Sequence, residues 1–379
     1  MKPTNIAIVL LVLLMGISIP VSYAEIIHDN ASKINNLVVD REDVYFFEID
    51  NSKQSSTWMP DTNVYAHDDS GVRLVSDIHF IFPMELTEHG NYLYFSKLED
   101  SCIGNVICDY QDVVRMSKTD GSFDVIIDHL KSAIRLSVEN NGIYISESNG
   151  NIWKFNHDGT SPQLLYETNN IIIMDIMTEK DGTIYWIEEI EDQNNSILKM
   201  EPNSDPVTIA SELEIPYDLK DDYGQFWNEI YTDMNKGLSE RTKITQHTDS
   251  VDTVVGDFKN TNPLSHKQAG NHYGPYLIVG DYLLFSNNTD NGSAIQMQNT
   301  ITEQSYDIQT VDYKVEFMRA EGDYLYVIGA HQDRFLIEKI TLPVSVPEFS
   351  VLTITVLATG MFLAIAGFGR FAIMNSSYR

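Results

Sequence analysis

The sequence predicts an all-β chain built from small antiparallel sheets repeated in tandem. Three observations carry that expectation: a recurring strand–turn–strand unit, its even spacing along the chain, and a composition rich in tyrosine, phenylalanine and turn residues. The unit is clearest over residues 141–165. Residues 143–147 read as one strand, and Ser148-Asn149-Gly150-Asn151 as an Asn-Gly hairpin turn. Residues 152–156 alternate as a second strand. His157-Asp158-Gly159-Thr160 turns again, and residues 163–166 form a third strand.

Copies of the unit align on one position, occupied by Tyr45, Tyr94, Tyr144, Tyr185, Tyr231, Leu284 and Tyr326. Successive copies lie 41 to 53 residues apart, the length that a four-stranded propeller blade needs. The reading is therefore a β-propeller over residues 25–343, with seven candidate blades and six as the alternative. Before most of these strands comes a turn, such as His89-Gly90-Asn91 or Asp181-Gly182, and before the turn another short strand. That earlier strand places a polar residue between mostly apolar neighbours, as in Met84-Glu85-Leu86 and Met174-Asp175-Ile176. It is expected to be the innermost strand of its blade.

Closure is legible too. The last unit ends at Pro343 with three strands, one short. Ile26 and Ile27 lie in a stretch that matches the outer strand before Ile134, so they are expected to clasp the ring by completing the last blade. An unpaired edge there would invite aggregation.

The units resemble the YWTD-type propellers of low-density-lipoprotein receptors and their bacterial and archaeal relatives. The residues that carry the resemblance are Ile184-Tyr185-Trp186-Ile187-Glu188, Ile230-Tyr231-Thr232-Asp233, and Ile143-Tyr144-Ile145-Ser146 continuing into Trp153-Lys154-Phe155-Asn156-His157-Asp158-Gly159. No unit carries the full tetrapeptide. The receptor type has six blades where seven are counted here.

Both ends read as membrane-directed. Lys2, an apolar run over residues 6–19, Pro20 and Ser22-Tyr23-Ala24 make a signal peptide with cleavage after Ala24; an uncleaved anchor is the alternative. Residues 349–368 carry no charge and are long enough to span a bilayer core of about 30 Å as a helix. Arg370 beyond them favours a cytoplasmic C-terminus. Pro347-Glu348-Phe349 followed by that run resembles the PEF-type anchors of archaeal surface proteins, whose tail a sorting enzyme can remove. The expected layout is thus residues 1–24 as signal peptide, 25–343 as propeller and 344–379 as junction, transmembrane anchor and short basic tail. The propeller is expected on the outer cell surface as a monomeric ring.

In an exported chain, Cys102 and Cys108 read as a disulfide, with no third ligand at metal spacing. Asn30, Asn194, Asn287 and Asn291 head acceptor triplets for N-glycosylation. A net charge of −30 repels nucleic acid and suits a solubilising or cation-collecting surface.

The main candidate site is the polar position of the inner strands: Asn36, Glu85, Arg135, Asp175, Asp218, Tyr276 and Glu316. If these reach the axis, the channel mouth holds four carboxylates and one guanidinium. Oxygen donors of that kind suit Ca2+ or another hard cation, or the residues simply pair between blades or solvate a tunnel. His67-Asp68 and His157-Asp158 resemble acid–base pairs, but Lys118-Thr119-Asp120-Gly121 fills the same place, which makes them outer hairpin turns. Asp128-His129 sits in a connector. The irregular stretch 248–274, with His266, Lys267, His272 and Gly274, reads as an outer strand over residues 251–258 followed by a connector, or as a loop over one face.

No local signature for a serine, zinc, nucleotide, flavin or haem enzyme occurs, and no cofactor is expected. The functional expectation is a binding platform for a protein, glycan or cation. The alternatives are a propeller hydrolase or lyase at the channel mouth, and a structural envelope component.

Overall fold

The computed structural model describes residues 24–49, 61–76, 80–81, 84–102, 110–131, 133–168, 172–189, 195–213, 215–221, 225–233, 239–248, 251–259, 276–279, 282–289, 292–299, 302, 304–331 and 334–343. The signal segment before Ala24, the anchor beyond Pro343, Cys108, Asn194, Asn291 and the histidines of 260–275 lie outside the described residues. Among the described residues no helix is long and apolar enough to cross a membrane.

β1 (Ala24–Asn30) is followed by β2 (Ile34–Asp40), β3 (Asp43–Ile49), β4 (Asp61–Asp68), β5 (Gly71–Leu74) and β6 (Phe80–Ile81). The next four are β7 (Met84–His89), β8 (Tyr92–Leu98), β9 (Tyr110–Ser117) and β10 (Phe123–Lys131). Then come β11 (Ala133–Glu139), β12 (Gly142–Glu147), β13 (Ile152–Phe155) and β14 (Gln163–Tyr166). β15 (Ile172–Thr178), β16 (Ile184–Glu189), β17 (Asn195–Met200) and β18 (Val207–Leu213) follow. β19 (Ile215–Asp221), β20 (Gln225–Asp233), β21 (Ser239–Thr248) and β22 (Val251–Lys259) form the next set. The last described strands are β23 (Tyr276–Val279), β24 (Tyr282–Thr289), β25 (Gly292–Asn299), β26 (Ser305–Val311), β27 (Lys314–Glu321), β28 (Tyr324–His331) and β29 (Arg334–Thr341).

These strands pair into seven antiparallel sheets, six of them following chain order. The first sheet is β2-β3-β4-β5, with β6 also on β4, and the next five run β7–β10, β11–β14, β15–β18, β19–β22 and β23–β26. The seventh is β27-β28-β29 completed by β1. The expected clasp is therefore present, and it runs antiparallel from Ala24↔Ile340 to Asn30↔Phe335. The first strands of the sheets lie side by side in order: β27 against β2, β2 against β7, β7 against β11, β11 against β15, β15 against β19, and β23 against β27.

The core sits between neighbouring sheets. Tyr45, Phe47 and Val64 of the first sheet pack with Leu93, Phe95 and Val114 of the second. Tyr94 and Val113 then pack with Ile143 and Ile145 of the third. The same join repeats between the third and fourth sheets and between the seventh and first. A strand covered on both faces needs apolar side chains on both, so β3, β8, β12 and β16 are buried almost end to end instead of alternating.

Parity along that second strand has a fixed meaning. The repeat tyrosine packs toward the following sheet: Tyr94 joins the second-to-third core and Tyr144 the third-to-fourth. The next residue packs toward the preceding sheet, as Phe46, Phe95, Ile145 and Trp186 do. Opposite the tyrosine, the third strand places a cation in four sheets, Tyr94↔Arg115, Tyr144↔Lys154, Tyr185↔Lys199 and Tyr326↔Lys339, and Ala66 opposite Tyr45 in the first. Lys154 lies 5.1 Å from the Tyr144 ring centroid and Lys199 5.9 Å from that of Tyr185. Such pairs contribute roughly 0.2–1 kcal/mol each and let a long basic stem cover an aromatic at the rim.

Candidate functional site

Every inner strand except β23 breaks its register at the polar position. The shift falls between Ile34 and Leu37 around Asn36, between Met84 and Thr87 around Glu85, and between Tyr217 and Lys220 around Asp218. It falls between Ala133 and Arg135, between Ile173 and Asp175, and between Val315 and Phe317 around Glu316. A bulge inserts one residue and re-aims its side chain. That explains the apolar–polar–apolar triplets: the polar residue does not have to obey the alternation of its strand. Glu85 adopts φ of 53°, a left-handed backbone unusual for a residue with a Cβ.

Three of these residues meet. Arg135 on β11 donates Nη1–H to Glu85 on β7 and Nε–H to Asp175 Oδ1 on β15 at 2.9 Å. One guanidinium thus bridges the preceding and following sheets. Asp175 is buried and also accepts the backbone N–H of Ile176 at 2.9 Å, whereas the Arg135 side chain keeps 41 % of its surface open. Next to them Ser137 and Thr178 share a hydroxyl hydrogen bond between β11 and β15. The three-residue group is held together inside and open on one side.

The other expected members are placed differently. Asn36 and Glu316 are half-buried on β2 and β27, and Tyr276 is buried on β23 opposite Phe285. Asp218 lies at the bulge of β19. Among the described residues no group of three or more His, Cys, Asp or Glu side chains could hold a metal ion. At Glu85 and Asp175 a cation is already supplied, by Arg135.

The Asp-Gly stretches are outer turns. Asp120 accepts the backbone N–H of Ser122 at 3.1 Å and its hydroxyl at 2.8 Å; Asp158 treats Thr160 alike at 3.0 and 2.6 Å. Asp68 binds Ser70 in the same way. These side-chain and backbone hydrogen bonds hold all three carboxyls below the usual aspartate range. In two of the turns the following glycine seats the turn on the preceding sheet. A Cβ on Gly121 would come within 1.9 Å of the Val75 carbonyl oxygen, and one on Gly159 within 1.9 Å of that of Ile126.

His157 is not an acid–base partner of Asp158. Its Nε2–H donates to the Glu139 carbonyl at 2.7 Å, and its ring stacks on His89 at 4.5 Å and 7°. Burial and the neighbouring imidazole hold His89 below the usual histidine range. His129 stacks on Tyr110 at 3.9 Å and meets Glu99 at 3.0 Å, and His67 lies in β4 opposite Val44. Lys118, equivalent to His157, is buried and donates to Asp40 at 2.6 Å, Glu88 at 2.7 Å and the Gly90 carbonyl at 2.8 Å.

The residues that sequence reasoning missed are the carboxylates between sheets. Three residues after the repeat tyrosine stand Glu48, Glu147 and Glu188, all buried. Parity turns them toward the preceding sheet, where each holds the outermost strand. Glu48 accepts His28 Nε2–H at 2.8 Å and Asn30 Nδ2–H at 2.7 Å from β1. Glu147 accepts the Lys131 N–H at 2.9 Å from β10, together with Trp153 Nε1–H at 2.7 Å. Glu188 accepts the Tyr166 hydroxyl at 2.6 Å from β14 and Trp186 Nε1–H at 3.1 Å. Burial first, then the Glu188 hydrogen bond, push the Tyr166 phenol up to about 12. The shared spacing from the tyrosine was the available signal.

Asn30 therefore commits its amide nitrogen to Glu48, while Asn287 is exposed on β24. Cys102 is fully buried next to Leu98 and Tyr110, and no cysteine among the described residues is free.

No protein-family model and no curated protein match the sequence. Solved structures match the fold. The β-propeller domain of the trilobed protease from Pyrococcus furiosus, described as having an open velcro topology, aligns at TM-score 0.56 and 10% identity over 86% of this chain and 98% of that one. YCF48 from Cyanidioschyzon merolae aligns at 0.54 and 10% over 84% and 98%. A puromycin-hydrolyzing peptidase from Mycobacterium tuberculosis aligns at 0.54 and 11% over 79% of this chain and 50% of its own. At these identities the similarity establishes the β-propeller fold alone.

Proposed function

We propose that this chain is a seven-bladed propeller displayed on the outer cell surface, where it acts as a binding platform with its ligand at the axial ring. The observation that supports this is the group Glu85–Arg135–Asp175. Three sheets spend a bulge each to bring one half-open guanidinium between two carboxylates. A hard cation would have to displace Arg135, so the ring favours neutral polar groups that both donors and acceptors can engage. A glycan or the polar surface of a protein has that chemistry.

The test is a thermal-shift panel on the full chain with neutral, acidic and amino sugars and with calcium chloride, run on the parent and Arg135→Gln. The expected result is a sugar-induced shift in the parent that Arg135→Gln abolishes, with no response to calcium. A calcium-only response would replace this reading with the cation-binding one.

The address and the cross-link belong to the same proposal. Cleavage after Ala24 leaves β1 able to pair from Glu25↔Lys339 onward, so the clasp survives maturation; N-terminal sequencing of the membrane-extracted protein checks it. The run 349–368 anchors the chain with its C-terminus in the cytoplasm. Cys102 and Cys108 form a disulfide, visible as a mass two hydrogens lighter before reduction.

A further inference from the structure

Among the described residues, seven of the nine exposed large apolar side chains lie on the outermost strands of the sheets. Most of those strands are poor templates for another strand. The outermost pairing carries a register shift in β1·β29, β9·β10, β13·β14, β17·β18, β21·β22 and β25·β26, and bulges blunt an edge. The outer edge of the first sheet is broken as well, between β5 and β6, but its β5 stretch pairs regularly with β4. That pairing runs without a break from Tyr65↔Leu74 to Asp68↔Gly71, and no strand lies beyond β5 in its sheet among the described residues.

This regular stretch is also apolar. Val72 and Leu74, two residues apart and so on one face of β5, are 40 % and 43 % exposed, and β1 with Ile26 at 57 % lies against β5. On its other side β5 runs into a groove of about 550 Å³ lined by Leu74, Val75, Ser76, Ser122 and Phe123, with Asp120 at its border. The Asp120 carboxylate is fully exposed and is met only by hydrogen-bond donors of its own turn, Ser117 and Ser122, so it keeps its charge. Asp68, the last residue of β4 and opposite Gly71, is already paired with Arg73 at 3.2 Å.

We propose that the β5 edge and this groove form a docking surface for an extended segment of another protein in which apolar and basic residues alternate. The segment adds as a strand on β5, lays its apolar residues over Val72 and Leu74, and sets a lysine or arginine against Asp120. Main-chain hydrogen bonds would hold it and the alternate side chains would select it. The occupant is a basic partner and not a second copy, because two chains of net charge −30 repel each other.

The probe is a fluorophore-labelled decapeptide of alternating lysine and valine, titrated by anisotropy against the full chain. Comparators are the alternating glutamate–valine peptide and a blocked peptide with five lysines followed by five valines. Val72→Lys, Asp120→Asn and the control Asp181→Asn, which removes an equally exposed turn carboxylate on the fourth sheet, complete the set. Far-UV melting confirms that each variant folds.

The expected result is saturable one-to-one binding of the alternating basic peptide, weaker by tenfold or more in Val72→Lys and Asp120→Asn and unchanged in Asp181→Asn. Equal binding of the blocked peptide, or equal loss in Asp181→Asn, would reduce the effect to the general field of an acidic protein and overturn the proposal. Absence of peptide binding overturns it as well. So does a parent dimer that Val72→Lys dissolves, which would assign the edge to self-association.

Discussion

The carboxylates bridged by Arg135 and those between the sheets have similar chemistry but opposite surroundings. Glu85 and Asp175 are bridged by a guanidinium that stays half open to water. Glu48, Glu147 and Glu188 are buried and receive two or three hydrogen bonds apiece from neutral donors or from His28. The first arrangement leaves polar surface for a ligand. The second leaves none, and joins one sheet to the outer strand of its predecessor. Exposure and partner type, not residue type, separate the two arrangements.

The seventh sheet builds the same join from the other side. Gly329 stands where the glutamate would be, and a Cβ there would come within 2.3 Å of the Tyr313 ring. Tyr313, which follows β26, instead donates its hydroxyl to the buried Glu338 on β29, and Gln309 of β26 donates to the same carboxylate at 3.3 Å. The sixth-to-seventh join keeps its carboxylate and moves it one strand outward.

The largest effect is expected at the clasp. Deleting residues 25–29 removes the fourth strand of the seventh sheet together with the His28 contact to Glu48. Thermal melting should fall by more than 10 °C, since an edge and part of a core are exposed together; an unchanged melting temperature would refute the clasp. Glu48→Ala comes next. It leaves His28 and Asn30 without their acceptor, and denaturant titration should show a loss of about 2–4 kcal/mol.

Glu188→Gln should cost about 1–2 kcal/mol, because the amide keeps one acceptor but loses its charge. Spectrophotometric titration should then find the Tyr166 phenol below its parent value of about 12 and still above 10, since burial is the larger cause of its shift. Arg135→Gln should cost about 1–3 kcal/mol, because the guanidinium is half open to water but its partner Asp175 is buried. Its distinguishing effect belongs to binding.

The smallest effect concerns pH. His89 titrates below its ordinary value, so the folded chain favours the neutral ring. That stability is complete above about pH 6.5 and is lost as pH falls through the folded value. Asp68, Asp120, Asp158 and Asp181 are likewise lowered, and their contribution is present above about pH 4 and lost as pH falls through their folded values. Melting curves should decline in two steps, and His89→Gln should flatten the upper one.

Much of the architecture was readable because burial on both faces leaves strong marks. The apolar runs around Tyr94, Tyr144 and Tyr185, and the Asp-Gly turns, are local signals that survive any packing arrangement. The clasp was readable from a missing strand at one end and a spare one at the other. The bulges were not, because a single extra residue looks like a broken alternation until a partner strand fixes the register. Glu147 and Glu188 were overlooked because a glutamate ending an apolar run resembles an ordinary exposed strand end. Only parity shows that it points into a join. The Arg135 bridge was unreadable for another reason: its partners lie 50 and 40 residues away, and nothing local states that three bulges converge.

The most direct measurement compares Arg135→Gln and Glu188→Gln with the parent in one thermal-shift experiment across the sugar panel. Arg135→Gln is expected to lose the sugar-induced shift, and Glu188→Gln to melt lower than the parent and keep it. The reverse pattern, in which Arg135→Gln keeps the sugar-induced shift and Glu188→Gln loses it, would contradict the assignment of the ligand to the Glu85–Arg135–Asp175 group.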